Sequence, residues 1–188
     1  MSRVILGVDP GLTRCGVAVV EAKSSRKLEL LHVDTLKTNA EVELSIRLGL
    51  IGDGIEALIK KYRPGQIAIE RVFAQSNVRS VMGVAQISGV VLYLARKYDI
   101  PVEMHTPSEV KAAVTGSGRA EKAQIGNAVA KILGLSEIPK PADSADAIAI
   151  AICNAWKNSV VKPDGKTQTS AQSAWLAAER VASRRPRG

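Results

Sequence analysis

The chain has 188 residues, 46% of them hydrophobic, and a formal net charge of +8. This length suits one substantial core with at most a tail, and the hydrophobic share is too high for a disordered chain. The sequence has neither the roughly 18 consecutive apolar residues of a membrane span nor the apolar segment of a signal peptide. Its two cysteines fit neither a CxxC metal site nor a disulfide framework, so we expect a cytoplasmic protein without a membrane partner.

Three strands open the chain. The run "RVILGVD" predicts a strand over residues 3–9 that stops at Asp9, where Pro10 and Gly11 favour a tight turn. The runs "GVAVVEA" and "KLELLHVDTL" predict two more strands, over 16–22 and 27–36. Strands this close together indicate an antiparallel meander.

Alternating helices and strands follow the meander. Helical spacing of apolar residues predicts a helix over about 40–62, and "PGQIAIE" predicts a buried strand ending at Glu70. A loop, "RVFAQSN", leads to a second helix over about 78–98, and "IPVEMH" predicts a third crossover strand. Right-handed crossovers would return both strands parallel to the first one.

The remaining elements are helical. Thr106, Pro107 and Glu109 form a capping-box pattern, which predicts a helix over about 108–114, followed by one over 121–133. A further helix starts near Pro141. The order βββαβαβ plus helices predicts an α/β fold with a mixed five-stranded sheet covered by helices on both faces.

The last part of the chain is basic. From Lys157 to Gly188 there are seven Lys or Arg and two Asp or Glu. We therefore expect one domain over 1–157 and a disordered basic tail over 158–188, in which the positive charge adds non-specific attraction to phosphate.

Four carboxylates fall where this topology could bring them together. Asp9 and Glu70 end strands that we expect to be neighbours, and Asp143 and Asp146 point from one side of the first turn of an otherwise apolar helix. Acids this close would raise one another's pKa unless a cation lay among them. Carboxylate-only ligation suits Mg²⁺ or Mn²⁺, and two such ions are a usual apparatus for phosphodiester hydrolysis.

Each acid also has an ordinary structural explanation. Asp9 could start a turn, Glu70 could be a solvated charge at a strand end, Asp143 could cap its helix, and Asp146 could be a favourable charge near the positive helix end. Phe73, the single Phe of the chain, would ordinarily be interpreted as a core residue. The packing stripe that Asp146 shares favours the functional interpretation.

The segments "GVDPGLTRCG", "IERVF", "HTPSEVKAAVTGSGRAEK" and "PADSADAIAIAIC" occur in the order and spacing of the RuvC family of bacterial Holliday-junction resolvases. The resemblance covers roughly Val4 to Trp156. It implies a ribonuclease-H-like fold, a homodimer and Mg²⁺-dependent paired nicking of four-way DNA junctions. It also suggests contact with a branch-migration helicase complex.

The resemblance further implies roles for individual residues. The catalytic, metal-binding acids of the family correspond to Asp9, Glu70, Asp143 and Asp146. Lys111 and Lys122 match lysines near the scissile phosphate or the DNA backbone, with Lys122 counted among the catalytic residues, and Phe73 matches an aromatic that stacks on bases. From their positions alone, further phosphate contacts could come from Arg71, Arg79 and Arg119.

Three other functions compete with this interpretation. The segment "GVDPGLTRCGVAVV" is also similar to the first phosphate loop of sugar-kinase or actin-like ATPases, although these need a second domain. A non-catalytic junction-binding protein would have little reason to hold four acids near phosphates. Another ribonuclease-H-like nuclease, acting on hybrids or duplex, is disfavoured only by Phe73 and the "SEVK…AEK" segment.

Overall fold

The computed structural model describes residues 3–23, 26–71 and 78–157, with the backbone alone for 78–80. The strands in chain order are β1 Arg3–Asp9, β2 Arg14–Ala22, β3 Leu28–Lys37, β4 Gln66–Glu70 and β5 Val102–His105. The helices are α1 Leu44–Tyr62, α2 Val78–Lys97, α3 Pro107–Thr115, α4 Lys122–Leu133 and α5 Ala142–Lys157. No helix within these described ranges is long and apolar enough to cross a membrane.

The strands form a single mixed sheet of order β3-β2-β1-β4-β5. The pairs β1–β2 and β2–β3 are antiparallel, whereas β1–β4 and β4–β5 are parallel. Both features confirm the predicted meander and crossovers. In the parallel pair of central strands Val8 lies opposite Ile69, so the next residues along, Asp9 and Glu70, end neighbouring strands at one edge of the sheet.

Helices cover both faces of the sheet, as the element order predicts. Alternate residues of β1 face opposite sides, so that Ile5 packs into one core with α3, α4 and α5, and Leu6 into another with α1 and α2. Helix α5 is central to the first core: every residue from Ser144 to Ala155 except Asp146 is buried. This explains its apolar sequence, since the sheet lies on one side of the helix and α3 and α4 contact it elsewhere.

Two details differ from the sequence-based expectations. Helix α1 begins at Leu44 rather than near residue 40, because the Glu43 side chain accepts a hydrogen bond from Ser45 N and caps the helix there. On α2, helical spacing of apolar residues would place Leu92 with Val91 and Ala95 in the core, but Leu92 is 42% exposed and the buried face includes Ile87, Val91 and Ala95. The capping box at α3 is confirmed: Thr106 Oγ1 accepts from Glu109 N, and Glu109 Oε2 accepts from Thr106 N.

The predicted boundary between domain and tail falls where α5 ends, at Lys157. The tail itself, residues 158–188, lies outside the described residues. Its disorder and its role therefore stay predictions.

Candidate active site

The strand-end acids lie side by side because of the sheet register. Asp9 is the last residue of β1 and Glu70 the last of β4, and these strands are parallel neighbours. Each side chain is partly buried. Within the described residues neither carboxylate forms an ion pair with a basic side chain, so the negative charge of these two strand ends is not neutralised by a direct contact.

Glycines bring the first turn of α5 onto the same edge. A Cβ atom on Gly16 of β2 would collide with the carbonyl oxygen of Asp143, and it would lie 3.3 Å from the Cβ of Ala147. A Cβ on Gly7 of β1 would likewise collide with the carbonyl oxygen of Ala147. Only glycine allows the helix backbone to approach the strands this closely. The approach places Asp143 and Asp146 beside the strand ends.

The pKa values show that all four acids interact. Burial, followed by the charges of Glu70, Asp146 and Asp143, raises the pKa of Asp9 to about 7, and the charge of Lys122 opposes the shift. Burial also raises the pKa of Glu70, with a contribution from Asp146. The pKa of a carboxyl group is shifted appreciably only by charges that lie close to it. The sequence-based expectation that these four residues converge is thus supported by their mutual electrostatics.

Two cations hold the acids of α5. Arg14 Nε donates to Asp143 Oδ2 at 2.6 Å, and Lys122 Nζ lies 3.5 Å from Asp146 Oδ2. Sequence reasoning identified Lys122 but missed Arg14 as part of the site. The signal for Arg14 was weak, because its pairing with a residue 129 positions away depends on how closely α5 approaches β2.

The donor set fits a hard divalent cation. Four carboxylates are available, two of them raised in pKa, and oxygen ligands of this kind are those that Mg²⁺ and Mn²⁺ prefer. Within the described residues, however, no three Asp, Glu, His or Cys side chains form a ready-made ligand set. The physical reason is that like charges repel without an ion, while Asp143 and Asp146 are attracted to Arg14 and Lys122 instead.

The predicted DNA-contacting residues are distributed around this edge. Lys111, half-buried on α3, lies near enough to Glu70 to lower the pKa of that carboxyl. Arg71 is exposed directly after Glu70, and its backbone N–H donates to His105 O at 2.7 Å. Arg119 is exposed on the connection between α3 and α4, and none of the contacts found for it joins it to an acid of the site. Phe73 and the side chain of Arg79 lie outside the described residues.

A family model described as "Crossover junction endodeoxyribonuclease RuvC" matches residues 5–154. The chain belongs to the RuvC family. This membership confirms the resemblance seen in the motifs, together with the endonuclease class that the resemblance implies.

Individual RuvC proteins match over most of the chain. The relative from Leifsonia xyli subsp. xyli is 51% identical over 96% of this chain and 93% of its own length. The relative from Streptomyces avermitilis is 57% identical over 81% of this chain and 87% of its own. Both carry the name crossover junction endodeoxyribonuclease RuvC.

Solved structures agree with the sheet described above. T. thermophilus RuvC in complex with a Holliday junction substrate superposes with a TM-score of 0.79 at 35% identity, covering 82% of this chain and 94% of that one. The yeast mitochondrial resolvase Ydc2 superposes with a TM-score of 0.58 at 14% identity, which shows a shared fold only. The predicted ribonuclease-H-like fold is confirmed.

Proposed function

We propose that this RuvC-family protein resolves four-way DNA junctions by cutting one phosphodiester on each of two opposed strands. Each cut would leave 5′-phosphate and 3′-hydroxyl ends. The observation that carries the proposal is the convergence of four acids from β1, β4 and α5, where burial and the three neighbouring carboxylates raise the pKa of Asp9 to about 7. The T. thermophilus relative, solved with a junction substrate, supports the choice of DNA structure.

The acids are suited to hold two Mg²⁺ ions, with Mn²⁺ as a substitute. Asp9, Glu70, Asp143 and Asp146 would be the ligands, and the ions would supply an activated water and stabilisation of the leaving oxygen. The negative charge at the strand ends and the hard-oxygen donor set support this assignment.

The basic side chains at this edge have a different task, which is to hold and orient the DNA. Lys122 reaches Asp146 and is therefore placed to contact a phosphate bound among the acids. Lys111, near Glu70, can contact the same strand. Arg71, Arg79 and Arg119 are proposed as further backbone contacts, which position DNA without reading its sequence.

Phe73 is proposed to stack on an unpaired base. It follows Glu70 by three residues, in the segment between β4 and α2. Stacking of a base on an aromatic side chain contributes about 1–3 kcal/mol and tolerates any sequence. Such a contact would hold an opened crossover beside the acids.

A homodimer would match the two-fold symmetry of the substrate. Helix α2 presents Met82, Leu92 and Tyr93 to solvent, and Tyr93 is 67% exposed. An unpaired apolar surface on a helix suits an isologous interface. Two equivalent sites could then meet two equivalent strands. A branch-migration helicase partner and a cytoplasmic location complete the proposal, the first from family resemblance and the second from the use of cysteine.

One assay tests the function. Labelled synthetic four-way junction, linear duplex and RNA–DNA hybrid are each incubated with Mg²⁺ or with EDTA. We expect symmetric nicks in the junction alone, only with Mg²⁺. Junction binding without any nicking would point to a non-catalytic binder, cutting of hybrid or duplex would point to another nuclease, and ATP turnover without DNA would support the ATPase alternative.

A further inference from the structure

A buried arginine without a counter-ion lies beside the active-site edge. Arg47 of α1 is only 8% exposed. Its Nε donates to Thr38 Oγ1 at 3.0 Å, and its Nη2 donates to Thr13 Oγ1 at 2.9 Å. Both acceptors are neutral hydroxyls, and no carboxylate in residues 3–23, 26–71 or 78–157 pairs with Arg47. A buried cation without an anion is costly, so its presence calls for an explanation.

The nearest acid along the helix is already engaged. The Glu43 carboxylate accepts hydrogen bonds from Ser45 N and Ser45 Oγ at the start of α1. Of the five N–H donors of the guanidinium, one on Nε and one on Nη2 bond the threonines, which leaves three without a partner among the described residues. Arg47 is thus held rigidly while more than half of its donors stay available.

Arg47 is one of the residues that line an open groove. The groove has a volume of about 570 Å³ and lies between the β1–β2 turn and α2. Its described lining contains two arginines and no acidic residue: Gly11, Leu12, Thr13, Arg14, Ala40, Arg47, Gly83 and Val84. The first of these lining residues, Gly11, lies two residues after Asp9, so the groove is next to the candidate active site.

The walls of the groove are built to stay in place. The Thr38 hydroxyl donates to Leu12 O at 2.5 Å, and Thr38 N donates to Thr13 O at 3.0 Å. On the opposite side, a Cβ atom on Gly83 would lie 3.1 Å from the Cβ of Leu12. The turn is therefore fixed against both β3 and α2, and Arg47 is preorganised rather than mobile.

We propose that this groove binds a backbone phosphate of the DNA substrate, next along the strand from the phosphate that is cut, with Arg47 as its main ligand. The inference rests on the proposed function, because it assigns a second contact on the same strand. A phosphodiester supplies the missing anion and accepts charge-assisted hydrogen bonds in the fork geometry of a guanidinium. Arg14, which lines the groove and pairs with Asp143, joins this contact to the acids.

The first experiment measures binding of a synthetic four-way junction in EDTA over a series of KCl concentrations. Each phosphate contact contributes close to one to the slope of log affinity against log salt. We expect Arg47→Gln to reduce that slope by about one and to weaken binding about tenfold to a hundredfold at low salt. Arg47→Lys should keep the slope. Arg96→Gln, at the far end of α2, is the matched control and should change neither quantity.

A second pair of variants leaves the Arg47 network intact. Ala40 is exposed and lines the groove. Ala40→Glu places a negative charge there and should weaken junction binding about tenfold more than Ala40→Gln does, since the two side chains are of similar size and differ in charge. Neutral methylphosphonate linkages introduced singly into the junction locate the phosphate: one position should weaken the wild type but not Arg47→Gln.

The outcomes separate the two proposals. If the wild type cuts junctions with Mg²⁺ while Arg47→Gln keeps the full salt slope, or if Ala40→Glu and Ala40→Gln bind alike, the groove is not a phosphate site and Arg47 only anchors the turn. If the wild type neither binds nor cuts junctions, the proposed function fails instead. Protection of the wild type, but not Arg47→Gln, from thermal unfolding by inorganic phosphate or ATP, without any change in DNA binding, would assign the groove to a free anion and overturn the proposal.

Discussion

Asp9 and Glu70 carry the negative charge that no basic side chain of the described residues pairs with, whereas Asp143 and Asp146 are held by Arg14 and Lys122. The pKa values of Asp9 and Glu70 are raised mainly because burial without a directly paired counter-ion disfavours the charged form of a carboxyl group. A divalent cation would remove the imbalance. The acids are therefore a source of instability in the metal-free protein, and in the proposed mechanism they would hold the ions that carry out catalysis.

We expect Asp9→Asn and Asp146→Asn each to slow junction cleavage by at least about a thousandfold, because a metal ligand contributes several kcal/mol to the transition state. Junction binding in EDTA should stay the same or tighten, since a charge that repels phosphate is lost. Single-turnover cleavage and gel-shift titration measure the two effects. Asp53→Asn, an exposed change on α1, is the control. If Asp146→Asn cleaved junctions at the wild-type rate, Asp146 would be only a favourable charge near the positive end of α5.

Arg14 pairs with Asp143 and would therefore compete with a metal ion for that carboxylate. A partly exposed ion pair contributes about 0.2–1 kcal/mol, so we expect Arg14→Gln to lower the Mg²⁺ concentration for half-maximal thermal stabilisation by no more than about fivefold. The measurement is made without DNA, so that a contact between Arg14 and phosphate cannot affect the Mg²⁺ midpoint. Lys23→Gln, which breaks the Lys23–Glu29 pair elsewhere, should leave the midpoint unchanged; a higher midpoint in Arg14→Gln would contradict the competition.

At the scale of elements, the close contact of α5 with β1 and β2 decides whether the acids meet. Gly16 is the sharpest test because a methyl group there would meet the backbone of Asp143. We expect Gly16→Ala to lower the free energy of unfolding by about 1–3 kcal/mol, the usual cost of overpacking, and to reduce cleavage more than a hundredfold by displacing the first turn of α5.

Gly49→Ala is the matched control for this change. A Cβ atom on Gly49 in α1 would meet nothing within 4 Å, and alanine favours a helix over glycine by up to about 1 kcal/mol. We therefore expect this variant to be more stable and fully active. Gly16→Ala with normal cleavage would show that the site tolerates a shift of α5.

A buried histidine at the contact between β5 and α5 should make the stability of the fold depend on pH. His105 is fully buried, and Asn154 Nδ2 lies 3.2 Å from its Nε2. Burial is the main cause that lowers the pKa of His105, the charge of Lys157 lowers it further, and Glu103 and Glu109 oppose the shift. The unfolded chain therefore binds a proton that the folded protein resists.

The contribution of His105 to stability should consequently fall as the pH drops below about 6.5, by no more than about 1.4 kcal/mol per pH unit, whereas the raised pKa of Asp9 changes stability in the opposite direction. Urea unfolding at pH 7.5 and pH 5.5 measures the change in the wild type and in each variant. On going to pH 5.5, His105→Gln should lose less stability, or gain more, than the wild type does, whereas His32→Gln should match the wild type. An unchanged pH dependence in His105→Gln would assign the effect to other groups.

At the scale of the whole molecule, charge and apolar surface lie on two different parts of the protein, which the proposed function assigns to two different partners. The sheet edge that ends in Asp9 and Glu70 is bordered by basic residues, and α2 exposes an apolar surface that includes Leu92 and Tyr93. The first suits a polyanion held against metal ions, and the second suits another copy of the chain.

We expect Tyr93→Glu to convert a dimer into a monomer, because a carboxylate in an apolar interface loses its hydration. Sedimentation velocity measures the oligomeric state. The monomer should bind junctions more weakly and should nick the two strands independently instead of together. Ile46→Glu, at a comparably exposed apolar residue of α1, is the control. If the wild type is monomeric at micromolar concentration, the paired mechanism loses its physical basis.

Much of this architecture is encoded locally. Alternating apolar runs fix the five strands, the Thr106 capping box starts α3, and the apolar sequence of α5 requires burial on all sides. The position of Asp9 and Glu70 at strand ends follows from the same patterns. These features are readable in the sequence because periodicity, caps and turns involve residues within a few positions of one another.

The chain placed the acids at the ends of their elements, but only the tertiary structure decided what surrounds them. The pairing of Arg14 with Asp143, the approach of α5 to Gly7 and Gly16, and the burial of Arg47 all join residues that are far apart in the chain. Such contacts depend on ångström-scale distances between packed elements, which no local pattern specifies. The physical reason is that a side chain's charge and exposure are set by its neighbours in space, and only folding chooses those neighbours.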